Sequence, residues 1–337
     1  MKLIKPSFLI KEQEPELLGI YRQIEYAGRI CYKSSDKITE NSAKPFVDRM
    51  VKSGHGAMLE HGTVYLKRKS SKEDNLEWAE RYLLNPYSRI SYGEDSPRID
   101  DVVYNTVYIT SNYRVLVEQG WLDDLKYLCE PTEFHEKRIT IKFTLSRSIA
   151  QEFTRHRVFS FAMESQRYCN YSRDKFNHEV TFVQPSWLTD NDISHWKTIM
   201  NDSKWFLPDN DDVKSDINTF MLALEMSESE YLSLVYEEGW KPQQAREVLS
   251  NACKAELIMT GFVNDWWGEY LVIDKTTDLI DQRIHGKFWN ELDSIDREKY
   301  LVIEKGFFPL RCSKAAHPQA QELALPLREE FIKRKLW

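Results

Sequence analysis

The sequence predicts an α+β fold. Strand-like alternation dominates the first half, helical periodicity dominates the second, and no regular strand–helix–strand series with a Gly-rich turn joins them. The clearest strand is Ile139, Ile141, Phe143 and Leu145, apolar residues separated by single polar ones. The clearest helix starts near Ile217 and carries Phe220, Leu224, Tyr231, Leu234 and Val235 until Gly239 stops it. A chain of 337 residues, 42% hydrophobic, can bury a large core as one big domain or two ordinary ones.

Each further element has its own signal. Asn41 and Ser42 offer a helix start, Phe46, Val47, Met50 and Val51 an apolar stripe, and Gly54 a stop. His61 to Leu66 reads as a strand. Residues 67–105 are polar and poorly periodic, so they read mostly as loop with one helix near Leu76–Leu84. Ser146 caps a helix with Ile149, Ala150 and Phe153 on one face. Val180 to Val183 is a strand that Pro185 ends. Pro242 opens a helix whose missing N–H costs little, carrying Ala245, Val248 and Leu249, and helix is expected again up to Trp266. Residues 268–305 are charged and mixed. A last helix starts near Pro318 with Ala320, Leu323, Ala324, Leu327 and Phe331, and Pro326 is expected to kink it.

Composition narrows the function classes. A net charge of −7 argues against a general nucleic-acid binder. The five cysteines are odd in number and widely spaced, with no CxxC, so neither a disulfide framework nor a metal site is expected and a reducing cytoplasm fits. No run approaches the roughly 18 apolar residues of a membrane span, and the start lacks a leader pattern.

The chemistry concentrates in Thr154 to Tyr168. Arginines, a histidine and a glutamate alternate there with Val158, Phe159, Phe161, Ala162 and Met163. A solvated face would not interleave such apolar residues, and a core segment would not hold three guanidinium groups without partners. The mixture suggests a half-buried wall whose planar forks await an anion. A lone Arg-His-Arg triplet is most often surface charge, so the weight falls on its companions.

Arg155-His156-Arg157, seven residues, then Ser165 resembles the signature of the flavin-dependent thymidylate synthases, and Gln166-Arg167-Tyr168 continues it. Gly54-His55 through Glu60-His61 is similar to the family's GHxxxxEH stretch. Gln244-Ala245-Arg246 with Val248-Leu249 resembles QARxVLP, with Ser250 in place of proline, and Phe307 to Arg311 resembles FxxLR. These segments keep the family's order.

The resemblance implies one α+β domain over 1–337 with a mixed or antiparallel sheet, and insertions at 67–135 and 268–305. It implies a cytoplasmic homotetramer that binds FAD and converts deoxyuridine monophosphate (dUMP) to thymidylate. Methylenetetrahydrofolate and NADPH serve as co-substrates, with no cysteine nucleophile. It places Arg155, Glu164, Ser165, Gln166, Arg167, Tyr168, Arg246 and Arg311 on the nucleotide, and Arg155, His156, Arg157, Glu164, His55 and Asn264 on FAD. Arg311 carries the catalytic role, lying against the uracil imide and favouring its ionised form. Glu152 departs from the glutamine usual three residues before Arg155, and an ungapped alignment would put Phe262 or Val263 at the place of Asn264. Two alternatives remain: a related flavoenzyme methylating another pyrimidine nucleotide, and a nucleic-acid-binding module using the same basic stretch.

Overall fold

The computed structural model describes residues 1–93, 104–202, 215–274, 280–285 and 300–336. It begins with β1 (Lys2–Ile4), β2 (Ser7–Lys11), α1 (Glu16–Cys31), α2 (Ala43–Lys52), α3 (Gly56–Leu59), β3 (Thr63–Ser71), α4 (Lys72–Leu83) and β4 (Arg89–Tyr92). The middle holds β5 (Tyr104–Asn112), α5 (Tyr113–Gln119), β6 (Arg138–Ser146), α6 (Arg147–Phe153), β7 (Ser160–Met163), β8 (Thr181–Val183), α7 (Asp190–Asp202) and α8 (Ser215–Tyr236). The last third holds α9 (Pro242–Ala245), β9 (Lys254–Phe262), α10 (Val263–Trp267), β10 (Glu269–Asp274), β11 (Ile280–His285), β12 (Tyr300–Lys305), α11 (Phe307–Arg311) and α12 (Pro318–Lys333).

The alternation along β6 sets the centre. It lies in an antiparallel sheet of order β2-β6-β9-β7, with Ile141 opposite Met259 and Phe143 opposite Leu257. Those side chains form one face and pack on Phe153 of α6, Trp266 of α10, Phe307 of α11 and Phe331 of α12. The other face presents Ile258 and Ala162 to Ala27 and Ile30 of α1. On that same face Thr140, Lys142, Glu256 and Thr260 bring polar groups between sheet and helix, as the period of two requires.

Two expectations need correction. Residues 67–105 are not mostly loop: β3 runs on to Ser71, Ser71 caps α4 by accepting from Asp74 N–H, and β3, β5 and β4 form an antiparallel sheet. Apolar alternation fades after Leu66 because Lys67 and Lys69 face solvent, while backbone pairing continues. Residues 94–103 of that span lie outside the described residues. The helix expected to resume up to Trp266 is confined to α10, and the residues before it are β9, the strand between β6 and β7. Six of its last residues, Leu257 to Phe262, are all buried, so neither helical nor strand periodicity shows in the sequence. The last helix, α12, begins at Pro318 as expected and contains Pro326.

The expected strand at Val180–Val183, the helix capped by Ser146 and the long helix ending before Gly239 are all present. Within 268–305 the described parts form an antiparallel sheet of order β11-β10-β12; residues 275–279 and 286–299 lie outside the described residues. Among the described residues no helix is long and apolar enough to cross a membrane.

Candidate active site

The strand β6 delivers the chain into α6, and α6 ends at the Arg155-His156-Arg157 triplet. The three side chains part company there: His156 is buried, Arg155 and Arg157 are exposed. Phe159 anchors the segment by packing on Trp266, and a Cβ on Gly261 would strike its ring at 2.3 Å, so only glycine lets β9 lie this close. On the other side α11 brings Arg311 to the same place. Gly306 starts α11 at φ +108°, and a Cβ there would fall 2.2 Å from the Gly268 backbone.

Arg311 thereby meets the end of α6. Its Nε donates to His156 Nε2 at 2.9 Å, one Nη donates to the Glu152 carboxylate at 2.8 Å, and the other donates to the Glu152 carbonyl oxygen at 2.6 Å. A guanidinium can only donate, so His156 accepts through Nε2 and is neutral. Burial, then the Arg311 charge, pushes the His156 imidazole down to about 4. Burial also lowers the Arg311 guanidinium despite the opposing charge of Glu152. Of the five guanidinium N–H groups, those three bonds use three, which leaves two for a ligand.

Glu164 to Tyr168 form a turn after β7. Ser165 N–H donates to the Cys31 carbonyl at 3.1 Å, tying the turn to the end of α1, and Ser165 Oγ accepts from Arg167 N–H at 3.4 Å. Gln166 is buried, with its amide nitrogen unpartnered among the described residues. Arg167 and Tyr168 are exposed, and Tyr168 packs on Tyr32 with ring centroids 4.9 Å apart. Tyr168 and His55 line one cleft of about 640 Å³ together with Arg29, Lys37 and Arg49.

Glu164 is 1% exposed and faces inward. Its carboxylate accepts from Lys254 and from Glu256 N–H, while Lys33 and Lys142 bind Glu256. Burial alone would raise the Glu256 carboxyl, but the charges of Lys254 and Lys33 and the hydrogen bonds from Lys142 and Lys33 hold it down to about 2. The sequence does not announce this network. Its only trace was the alternate spacing of Lys254 and Glu256, legible once the segment is known to be a strand.

The remaining expected residues stand apart. Arg157 lines a second cleft of about 390 Å³ with Arg89, Arg138, Phe262 and Asp265. Asn264 is exposed on the first turn of α10, and its neighbour Asp265 rather than Asn264 lines that cleft. Arg246 follows α9 in a 3₁₀ turn, half-buried, with Nε 3.4 Å from Glu247. Among the described residues no hydrogen bond, ion pair or ring contact joins Arg246 or the Ser165–Tyr168 turn to Arg311.

All five cysteines have thiols raised by burial: Cys31 and Cys312 to about 11, Cys169 and Cys253 to about 12, and Cys129 in the same direction. None is poised as a thiolate near neutral pH.

A family model described as thymidylate synthase complementing protein matches residues 87–270. A flavin-dependent thymidylate synthase of Corynebacterium diphtheriae is 23% identical over 245 residues, covering 72% of this chain. The chain spans 62% of that relative's length. A UMP/dUMP methylase PolB of Streptomyces cacaoi, solved with 5-Br UMP, is 13% identical, with 99% of this chain and 92% of that one covered at a TM-score of 0.37. Thymidylate synthase X of Helicobacter pylori, solved with FAD and dUMP, is 15% identical, with 96% and 92% covered at a TM-score of 0.34.

Proposed function

The chain belongs to the thymidylate synthase complementing protein family, and we propose that it makes thymidylate from dUMP, taking the one-carbon unit from methylenetetrahydrofolate and electrons from NADPH through FAD. The observation that carries this is the meeting of Arg311 with His156. The two family-like segments stand 155 positions apart, and the fold joins them by a hydrogen bond. Raised thiols in every cysteine support a route without a cysteine nucleophile.

The residues have distinct roles in this reading. Arg311 turns its two remaining N–H groups to the uracil imide, and its partly desolvated charge favours the ionised ring, making carbon 5 electron-rich. His156 and Glu152 hold that guanidinium in place. Ser165, Gln166, Arg167 and Tyr168 bind the nucleotide from their turn, with Arg246 as a further phosphate contact. Glu164 acts through Lys254 and Glu256 to fix the turn. Arg155 stands where nucleotide and flavin meet. Arg157 holds FAD in the arginine-rich cleft that it lines, which is suited by charge, while His55 and Asn264 hold the cofactor from outside that cleft. Bound FAD supplies the hydride chemistry that no side chain here can provide.

We place these groups in one domain with an added sheet, and complete the site across neighbouring subunits of a cytoplasmic homotetramer. The exposure of Val158, Tyr168 and Leu310 supports that assembly. The test is conversion of dUMP deuterated at carbon 5: folded protein with FAD, methylenetetrahydrofolate and NADPH should release the deuterium and form thymidylate. Folded protein that releases none refutes the proposal.

A second reading is favoured by one feature. Glu152, an acceptor where the resemblance expects an amide, is ion-paired to Arg311 at 2.8 Å. An enzyme acting on another pyrimidine nucleotide would use that acceptor. Under that reading dUMP leaves the bound-flavin spectrum unchanged and the other nucleotide perturbs it.

A further inference from the structure

We propose that Arg89, on the strand β4, is an anion-binding residue of the Arg157 cleft, and that Arg89, Arg138 and Arg157 together grip a diphosphate. The inference rests on the FAD reading above, since that cofactor carries such a group. It gives a role to the β3-β5-β4 sheet, which the sequence presents only as added length.

Three arginines from three distant parts of the chain line one cleft of about 390 Å³. Arg89 and Arg138 both lie over Phe262, with guanidinium carbons 4.3 and 5.6 Å from the ring centroid. Stacking holds a guanidinium plane while leaving its edge N–H groups open to a phosphate. Arg138 is fixed further by bonds to the Glu60 carbonyl at 2.8 Å and Ser160 Oγ at 3.2 Å. Its Nε is buried and unpartnered among the described residues. Burial lowers this guanidinium to about 10, against the opposing pull of Tyr65, Glu60 and Asp265 and helped by the like charge of Arg89.

Three carboxylates lie near the three arginines, and each also has a partner elsewhere. Glu60 lines the cleft but pairs with Arg114 at 2.5 Å. Asp265 lines it too and accepts from Phe262 N–H at 3.2 Å. Glu136 stands 3.5 Å from Arg89 Nε, while an Nη of Arg89 donates to the carbonyls of Pro86 and Ser88. These bonds hold Arg89 at the rim and leave N–H groups for an incoming anion. Paired phosphates suit such a set of forks because each can take two parallel hydrogen bonds.

The test titrates the full-length protein with inorganic diphosphate, FAD and riboflavin in turn, by calorimetry. Arg89→Gln removes the charge and keeps a polar side chain on β4. Diphosphate should compete with FAD, and Arg89→Gln should weaken both by roughly 10-fold or more, as loss of one charge-assisted bond implies, with riboflavin unaffected. Asp265→Asn should tighten diphosphate by removing a like charge. Equal FAD and diphosphate affinities in Arg89→Gln and the unsubstituted protein would overturn the inference, as would an equal loss of riboflavin binding. If the unsubstituted protein binds diphosphate through Arg89 but not FAD, the cleft stands and the FAD reading falls. If it binds neither, both fall.

Discussion

Arg311 is held by Glu152 and His156, and each partner fixes a different property. The carboxylate orients the fork, while the imidazole accepts from Nε and stays neutral, pushed down to about 4. Removing the guanidinium takes away the group proposed to stabilise the ionised uracil. Arg311→Ala is therefore expected to cut kcat by about 100-fold or more, the order seen when one preorganised charge-stabilising donor is lost. FAD affinity should remain, because the cleft proposed for FAD is lined by other residues. Unchanged turnover would remove Arg311 from the mechanism. The cysteines give the complementary case. With every thiol raised by burial, serine variants at the half-buried Cys31, Cys129 and Cys312 are expected to retain turnover within a few-fold. Loss of activity in one that still folds and binds FAD would point to a thiolate nucleophile.

At the scale of elements, close backbone approach seats the site. Gly306 combines a positive φ with a neighbour 2.2 Å from its absent Cβ. Gly306→Ala is expected to lower stability by about 1–3 kcal/mol and to loosen α11, seen as a lower melting temperature and weaker turnover together. The charge network behind the 164–168 turn is more sensitive. Lys254→Met leaves Glu164, 1% exposed, without its nearest cation. Breaking a buried pair in this way costs about 3–5 kcal/mol. A melting temperature equal to that of the unsubstituted protein would show that the pair contributes nothing. The elements also show what the sequence made legible. β6 and α6 were readable because one face of each is polar and a serine caps the helix. β9 was not, because burial on both faces erases periodicity. The β3-β5-β4 sheet was hidden because its outer positions carry lysine and serine, and the pairing that makes it a sheet comes from residues 104–112, far along the chain. Of the site, Arg155–Tyr168 and Arg311 were legible as motifs, whereas Arg89, Arg138 and the Lys254–Glu164 pair became visible only when the strands were placed side by side.

Over the whole molecule, buried titrating groups set the pH response. His61 is fully buried and His156 nearly so, and burial lowers them to about 3 and about 4 from an ordinary 6.5. Both bind protons more readily when unfolded. Their contribution to stability is thus complete above about 6.5 and is lost as pH falls toward 4 and 3. Glu256, held at about 2 against an ordinary 4.5, adds a loss confined to lower pH. Unfolding free energy should therefore start to fall between pH 6.5 and 5, and His61→Gln, if folded, should flatten that part of the curve. A flat profile through that window in the unsubstituted protein would contradict the buried neutral state of these histidines. Assembly belongs to this scale as well: exposed Val158, Tyr168 and Leu310 flank the motif residues, and sedimentation is expected to find four chains per particle. A monomer that is fully active would refute completion of the site by neighbours.

The most direct test of the central claim is the absorbance spectrum of purified protein titrated first with FAD and then with dUMP. The expected result is a bound flavin whose bands shift on adding the nucleotide, as they must if both ligands meet at Arg155. A folded protein that binds no flavin, or a bound flavin that dUMP leaves unchanged, would contradict it.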